Sequence, residues 1–537
     1  MELLTQSYWP MLTSPSIVPW TVGDALREAS QAVPHHTALI EGVKDPSARR
    51  TWTYSALWDD AIRCAHALLQ HFEPNERIAV WANNIPEWVI LEFGAALANI
   101  TLVTVNPAYQ AAELQYVLQQ SGAAGLFMVE EFHGNPMAKV MAAVRPALSN
   151  LRTVISIDSD WPGFLQSGTS ARPLPVVGAQ DIAQIQYTSG TTGIPKGAML
   201  RHEGLVNNAR FVAWRGGAEL HQTWLSVIPL FHSSGSGLGV LGAVQTQGTQ
   251  VLVPQFIPDT IMELIEAYHV DVAPMVPTMI QALFIHSNVV RYDLGSLRKV
   301  WSGGTNVPPD LVQLVETQTP ACFSTVFGQT EASPIIAQTS PADSMADKTL
   351  TVGQPLPQTA VKIIDPGTGL VRPIGISGEL CVQGYGVMAG YFDAPVATAA
   401  AIDLDGWLHT GDLCSMDPRG YITVEGRIKD MIIRGGENIY PKEIEDVLLS
   451  HPAIIEAVLV GISDPYWGEQ AAAFVQIDPT MALTDEDLDA LVRERLAAYK
   501  VPRYWIRTDH FPRTPLGKIQ KFRLREQFAS TPTQDAP

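Results

Sequence analysis

Residues 187–197 read YTSGTTGIPKG. This short run holds Gly190, Gly193 and Gly197, hydroxyls at Thr188, Ser189, Thr191 and Thr192, and one cation, Lys196. Glycines let a backbone turn tightly and aim its N–H groups at an anion. Hydroxyls add donors to phosphate oxygens, and a lysine adds a compact positive charge. The chemistry on offer is the cradling of a phosphate chain. A Walker loop is excluded, because that motif opens a helix directly with Gly-Lys-Ser/Thr and here Pro195 precedes Lys196. Taken alone, the stretch also reads as a flexible linker.

Five further segments carry reactive side chains in a fixed order. Phe327-Gly328-Gln329-Thr330-Glu331 joins an aromatic ring, a hydroxyl and a carboxylate. Thr410-Gly411-Asp412 places a carboxylate after a strand-like run. Residues 426–430, GRIKD, carry Arg427 and Lys429. Residues 434–438, RGGEN, read as a flexible loop around Gly435 and Gly436. Residues 512–518, PRTPLGK, end in Lys518 on a turn. Each alone is an ordinary turn or a solvated charge run.

These groups need elements to hold them. Residues 183–187 alternate apolar and polar as a strand does, and Leu205, Ala209, Val212 and Ala213 recur at helical spacing. The glycine-rich run thus sits between a strand and a later helix. Strand-like runs at 77–81 and 250–253 alternate with helical faces such as Ile261, Leu264 and Ile265, which predicts α/β layers. From about 349 to 424, Gly and Pro turns separate short strands at 361–364 and 379–382, the pattern of an antiparallel β subdomain. After Gly426 the texture changes again. Pro441 suits a first helical turn, with Ile444, Val447 and Leu448 on one face. Strands follow at 457–460 and 472–477, then Thr484 and Asp487 as a capping pair for a helix carrying Leu488, Leu491 and Val492. The expected division is 1–428 for a large N-terminal domain, 429–530 for a small mobile α+β domain, and 531–537 for a polar tail.

At 537 residues, the chain exceeds what one core usually supports. Its formal net charge of −19 argues against a broad nucleic-acid footprint, so an anionic substrate needs local cations, N–H groups or a metal ion. Cys64, Cys322, Cys381 and Cys414 are scattered without zinc spacing, which favours a reducing compartment, the cytoplasm. The apolar stretch at 88–105 is broken by Glu92 and Asn99 and reads as a buried helix and strand, with no integral membrane segment.

In their order, the six motifs resemble those of the adenylate-forming superfamily of acyl-CoA synthetases, aryl-CoA ligases, luciferases and peptide-synthetase adenylation domains. The resemblance covers nearly the whole chain. It implies a large N-terminal domain of layered α/β subdomains plus a β subdomain, followed by the mobile C-terminal domain. It implies a ligase that activates a small-molecule carboxylic acid with ATP and Mg²⁺ and passes it to coenzyme A. Residues 188–196, with Thr188, Ser189, Gly190, Thr191, Thr192, Gly193 and Lys196, would hold the ATP phosphates. Phe327 would stack on adenine, with Gly303 and Gly304 lining that pocket and Gly328 and Gln329 beside it. Thr330 would contact the α-phosphate, and Thr188 and Glu331 would hold Mg²⁺. Asp412 and Arg427 would reach the ribose. Lys518 would bridge the carboxylate and the α-phosphate. Lys429 stands at the hinge, where many relatives carry Asp, and Gly435 and Gly436 would leave room for pantetheine. His232, in PLFHSSG, would border the acyl pocket. Ser233, the small residues to Gly239, Val276, Met279 and Val326 are candidate walls, and none offers a charge for a second carboxylate.

The chemistry suits these residue types. A carboxylate is a poor electrophile because its leaving group is oxide; attack on the ATP α-phosphate replaces oxide with AMP. Two anions must meet, so positive charge is needed at the new bond. Two other readings compete with this one. An acyl-AMP ligase serving a carrier protein is less similar around RGGENIYPKEIE and carries an insertion that this sequence lacks. A nicotinamide-dependent dehydrogenase would use the GxGxxG at 237–242 with Asp259 downstream, but 231–234 separate those glycines from the preceding strand-like run.

Overall fold

The computed structural model describes residues 3–169, 173–188, 195–305, 307–435, 437–514 and 517–530. The apolar stretch interrupted by Glu92 and Asn99 becomes a helix, Pro86–Leu97, and a strand, Thr101–Val105. Pro86 sits in the first turn, where its missing N–H leaves no bond unmade. Every residue of the strand is buried, the pattern of a strand covered on both faces.

That strand lies inside the first of two mixed sheets. Ile182–Thr188, Thr101–Val105, Arg77–Trp81, Gly125–Met128 and Thr153–Ser156 run parallel. At one edge Lys196–Arg201 pairs antiparallel with Ile182–Thr188, and the short strand Gly390–Tyr391 pairs with it in turn. The second sheet has a parallel centre of Thr37–Glu41, Thr249–Leu252, Thr223–Ser226, Val272–Pro274, Lys299–Gly303 and Cys322–Gly328. Thr51–Thr53 and Ile335–Gln338 close its two sides antiparallel, with Gln354–Pro355 beyond the latter. The helix His202–Arg215 buries Leu205, Ala209, Val212 and Ala213, the face read from spacing. Pro258–Tyr268 likewise buries Ile261, Leu264 and Ile265. The fold is α/β, and both sheets belong to one unit, Tyr8–Val361 with Cys381–His409.

The second unit comprises Met1–Ser7, Lys362–Leu380 and Thr410–Pro537. Within it, Ile454–Asp464 and Gly468–Ile477 form a long antiparallel hairpin. Tyr504–Arg507 adds parallel to Gly468–Ile477, and the hairpin of Ile432–Arg434 with Glu437–Ile439 joins the same sheet. Pro441–Leu449 starts on its proline and buries Ile444 and Leu448. Asp485–Arg495 begins with a capping box between Thr484 and Asp487. These helices close a core with Leu459, Ala473, Leu488 and Val492. Lys429 lies inside this unit.

Three local expectations change. Thr410-Gly411-Asp412 does not follow a strand: it is the middle of one, Leu408–Met416, which pairs antiparallel with Ile422–Arg427. The RGGEN segment carries strand at both ends, Ile432–Arg434 pairing antiparallel with Glu437–Ile439, and the Gly435 N–H donates to the Trp467 carbonyl at 2.7 Å. The GxGxxG at 237–242 forms no glycine turn between strand and helix. Ser234–Val240 is a π-helical turn that continues into the helix Leu241–Gln245. Asp259 opens the helix Pro258–Tyr268 and accepts a hydrogen bond from Asn288 at 3.0 Å. The dehydrogenase reading has no structural footing.

Candidate active site

Strand pairing brings the first group of candidate residues together. Thr188 and Lys196 face each other across the hairpin that flanks the glycine-rich run. Ser189, Gly190, Thr191, Thr192 and Gly193 lie outside the described residues, as does Gly436. Glu331, in the short 3-10 turn Thr330–Ala332, is 9% exposed. Its Oε1 accepts from the Thr188 hydroxyl at 3.4 Å and from the Tyr391 hydroxyl at 2.8 Å. The Lys196 ammonium stands 5.1 Å from the centre of the Tyr391 ring, a cation–π distance. Burial, reinforced by the neighbouring Glu331 carboxylate, raises the Tyr391 phenol well above its ordinary value, so it remains a donor.

Parallel register assembles a second group. Gly303 ends its strand opposite Val326, and Phe327 and Gly328 end the neighbouring strand. The carboxyl ends of parallel strands are where open α/β sheets bind ligands. Gly303 is required there: a Cβ would stand 2.0 Å from the Val326 carbonyl oxygen. Gly304 follows with space about it, and Gln329 leads into the turn that holds Thr330 and Glu331.

His232 stands at the start of the glycine-rich π segment. The Ser234 N–H donates to its Nδ1 at 3.2 Å, which places the imidazole proton on Nε2. The loop before it is held by Asn84, whose Oδ1 accepts from the Leu230 N–H at 2.8 Å and whose amide donates to the Ile228 carbonyl at 3.1 Å. Behind the π segment runs a buried polar chain. The Ser236 hydroxyl meets Gln184 at 3.3 Å, and Gln184 donates to Glu92 at 2.8 Å. Burial raises the Glu92 carboxyl well above its ordinary value, only partly offset by that hydrogen bond. Leu238 and Val326 pack in one apolar cluster, whereas Met279 packs in another.

The second unit holds its own charged constellation. Asp412 and Arg427 are directly opposed across two antiparallel strands, with the Arg427 Nε 2.7 Å from the Asp412 Oδ1. Asp412 is buried, and burial raises its carboxyl despite Arg427, Lys518 and Lys429 pulling it down. Lys518 is tied to Thr514, whose N–H donates to the Lys518 carbonyl at 2.8 Å and whose hydroxyl accepts from the Lys518 N–H at 3.2 Å. Repulsion from Arg427, then desolvation, lowers its ammonium to about 8, against the attraction of Asp412. Lys429, in the 3-10 turn Ile428–Asp430, is lowered by desolvation and by Arg427. Gly435 packs against the Trp467 ring, which a Cβ there would meet at 2.6 Å.

Sequence reading missed Tyr391, Asn84 and Glu92. No spacing rule ties any of them to Glu331 or His232, because each connection is made by tertiary pairing.

The chain belongs to the AMP-binding enzyme family: the profile of AMP-binding enzymes matches residues 26–392, and that of the AMP-binding enzyme C-terminal domain matches residues 443–518. The Bacillus subtilis (strain 168) chain YngI, named as an acyl-CoA synthetase, is 36% identical over 94% of this chain and 97% of its own. The medium-chain acyl-CoA ligase ACSF2 of Rattus norvegicus is 33% identical over 97% of this chain and 90% of its own. ATP-bound MatB from Rhodopseudomonas palustris superposes with a TM-score of 0.86 at 26% identity, covering 95% of this chain and 99% of that one. The Mycobacterium tuberculosis fatty acyl CoA synthetase gives 0.78 at 28%, covering 95% and 98%. The protein is an AMP-forming acid–CoA ligase that uses ATP, Mg²⁺ and coenzyme A. It activates a carboxylic acid as acyl-AMP, releases pyrophosphate and transfers the acyl group to the CoA thiol. Among the described residues, no helix is long and apolar enough to cross a membrane.

Proposed function

We propose that the acid is an apolar, medium-chain monocarboxylic acid. The observation that carries this reading is the π segment after His232, a buried run of glycines, a serine and apolar residues that carries no charge. The medium-chain ligases among the relatives support it. His232 borders the acid at the carboxylate end of that segment. The test is pyrophosphate release over short, medium and long straight-chain acids with cyclic and aryl acids alongside, each with and without CoA. Medium-chain acids should give the highest kcat/KM, with acyl-CoA as product. A dicarboxylic acid as the best substrate would contradict the reading.

The nucleotide roles are those that the likeness to adenylate-forming enzymes implies, and the residue types suit them. Thr188, Lys196 and the residues between them hold the ATP phosphates. Glu331 and Thr188 offer hard oxygen donors, the set that Mg²⁺ prefers, and the ion when bound neutralises phosphate charge. Thr330 contacts the α-phosphate, and Phe327 stacks on adenine beside Gly303, Gly304, Gly328 and Gln329. Asp412 accepts from the ribose hydroxyls, with Arg427 held on its Oδ1. Lys518 neutralises charge where the carboxylate attacks the α-phosphate. Lys429 is the pivot about which 429–530 move between the two half-reactions, and Gly435 and Gly436 line the pantetheine path. The cytoplasm is the compartment we place it in, a reading that the scattered spacing of its four cysteines supports. Cell fractionation checks that placement.

A further inference from the structure

We propose that Tyr391 is a positioning residue for the nucleotide step, which sets the Glu331 carboxylate with its hydroxyl and the Lys196 ammonium with its ring. This rests on the assignment of Glu331 and Lys196 to Mg²⁺ and phosphate.

A carboxylate and an ammonium that serve one anionic ligand face a common hazard: they can pair with each other. Among the described residues no ion pair joins Lys196 to Glu331. The Tyr391 side chain stands with both. Its hydroxyl, at the far end of the ring, donates to the Glu331 Oε1 at 2.8 Å. Its face meets the Lys196 ammonium 5.1 Å from the ring centre. The ring thus satisfies each charge partly and leaves each able to bind a ligand. A hydrogen bond to a charged group is stronger than one between neutral groups, and here it is 0.6 Å shorter than the bond from Thr188 to the same oxygen.

The placement is built in, because the backbone around Tyr391 is tied on several sides. Tyr391 faces Ala198 across the strand pair, two residues along from Lys196. Its N–H donates to the Thr398 hydroxyl at 2.9 Å. The next N–H, of Phe392, donates to the Gly197 carbonyl at 2.8 Å. Three residues before Tyr391, the Met388 N–H donates to the Glu331 carbonyl at 2.9 Å. The short segment 388–392 therefore holds Glu331 by backbone and by side chain, and holds the strand of Lys196 as well.

The experiment compares wild type with Tyr391→Phe, Tyr391→Ala and Glu331→Gln by heat stabilisation with ATP, titrating Mg²⁺ from zero, and by Mn²⁺ binding in electron paramagnetic resonance. Tyr391→Phe keeps the ring and loses the hydroxyl. It should bind ATP without Mg²⁺ as wild type does, while its metal requirement rises about tenfold. In the Glu331→Gln background the same change should add nothing. Tyr391→Ala should weaken metal-free ATP binding too, through Lys196. An unchanged metal requirement in Tyr391→Phe, or an equal increase in both backgrounds, overturns the inference. If wild type itself shows no ATP-dependent and metal-dependent stabilisation, the nucleotide-site assignment fails instead.

Discussion

Lys518 is a cation placed beside two others, and the arrangement gives it a pH signature. With Arg427 repelling it, its ammonium falls to about 8 in the free enzyme, below the ordinary lysine value of about 10.4. A folded value below the unfolded one means that charged Lys518 opposes folding below about pH 8. That opposition fades as the pH rises toward the unfolded value. The same shift predicts that kcat/KM for acyl-AMP formation falls as the pH rises through about 8, since the profile of kcat/KM reports groups of the free enzyme. Lys518→Arg, which stays protonated, should lose this alkaline limb whatever its absolute rate. A limb that survives in Lys518→Arg belongs to another group. Asp412 is tested more simply. Removing a hydrogen-bond partner of a ribose hydroxyl costs roughly 1.5–3 kcal/mol when the partner is charged, so Asp412→Ala should lose about tenfold or more in kcat/KM for ATP. Wild-type ATP handling would move the ribose site elsewhere.

The π-helical turn Ser234–Val240 is the proposed wall for the acid. It can lie against the preceding loop because Gly235 has no side chain: a Cβ there would stand 2.1 Å from the Pro229 carbonyl oxygen. Gly235→Ala must push that loop, and His232 with it. The expected result is destabilisation by about 1–3 kcal/mol and a larger rise in KM for the acid than for ATP, read by urea unfolding and steady-state kinetics. Elements of this kind differ in how readable they are. The helix at Pro441 and the Thr484–Asp487 capping box are local, so their signals lie within a few residues of one another. Asp412 reads in sequence as following a strand-like run; its pairing with Ile422–Arg427 carries the strand Leu408–Met416 through and beyond it. Tyr391 carried no signal at all, since its meaning comes from a strand two residues long paired with Lys196–Arg201.

At the scale of the whole molecule, the α/β class and the family were legible because six motifs kept their order over the length of the chain. The two compact units interleave along the chain. Lys362–Leu380 clusters with Thr410–Pro537, while Cys381–His409 returns to the larger unit, and no compositional change marks those crossings. Lys429, the proposed pivot, lies in a short 3-10 turn directly after Arg427. Lys429→Pro fixes φ at that turn and should leave acyl-AMP formation within a few-fold of wild type while thioester formation falls. Equal loss in both half-reactions, in a folded protein, would rule out that pivot. The central claim is that one active lysine serves the first chemical step and not the second. In acyl-AMP formation two anions meet, and Lys518 supplies the opposing charge; in thiol attack the leaving group is already AMP, and that charge is not needed. The direct measurement is Lys518→Ala assayed on the two half-reactions separately. The account predicts loss of acyl-AMP formation from acid and ATP, with thioester formation from supplied acyl-AMP and CoA near the wild-type rate. Equal loss of both in a folded variant, or retention of the first, would contradict it.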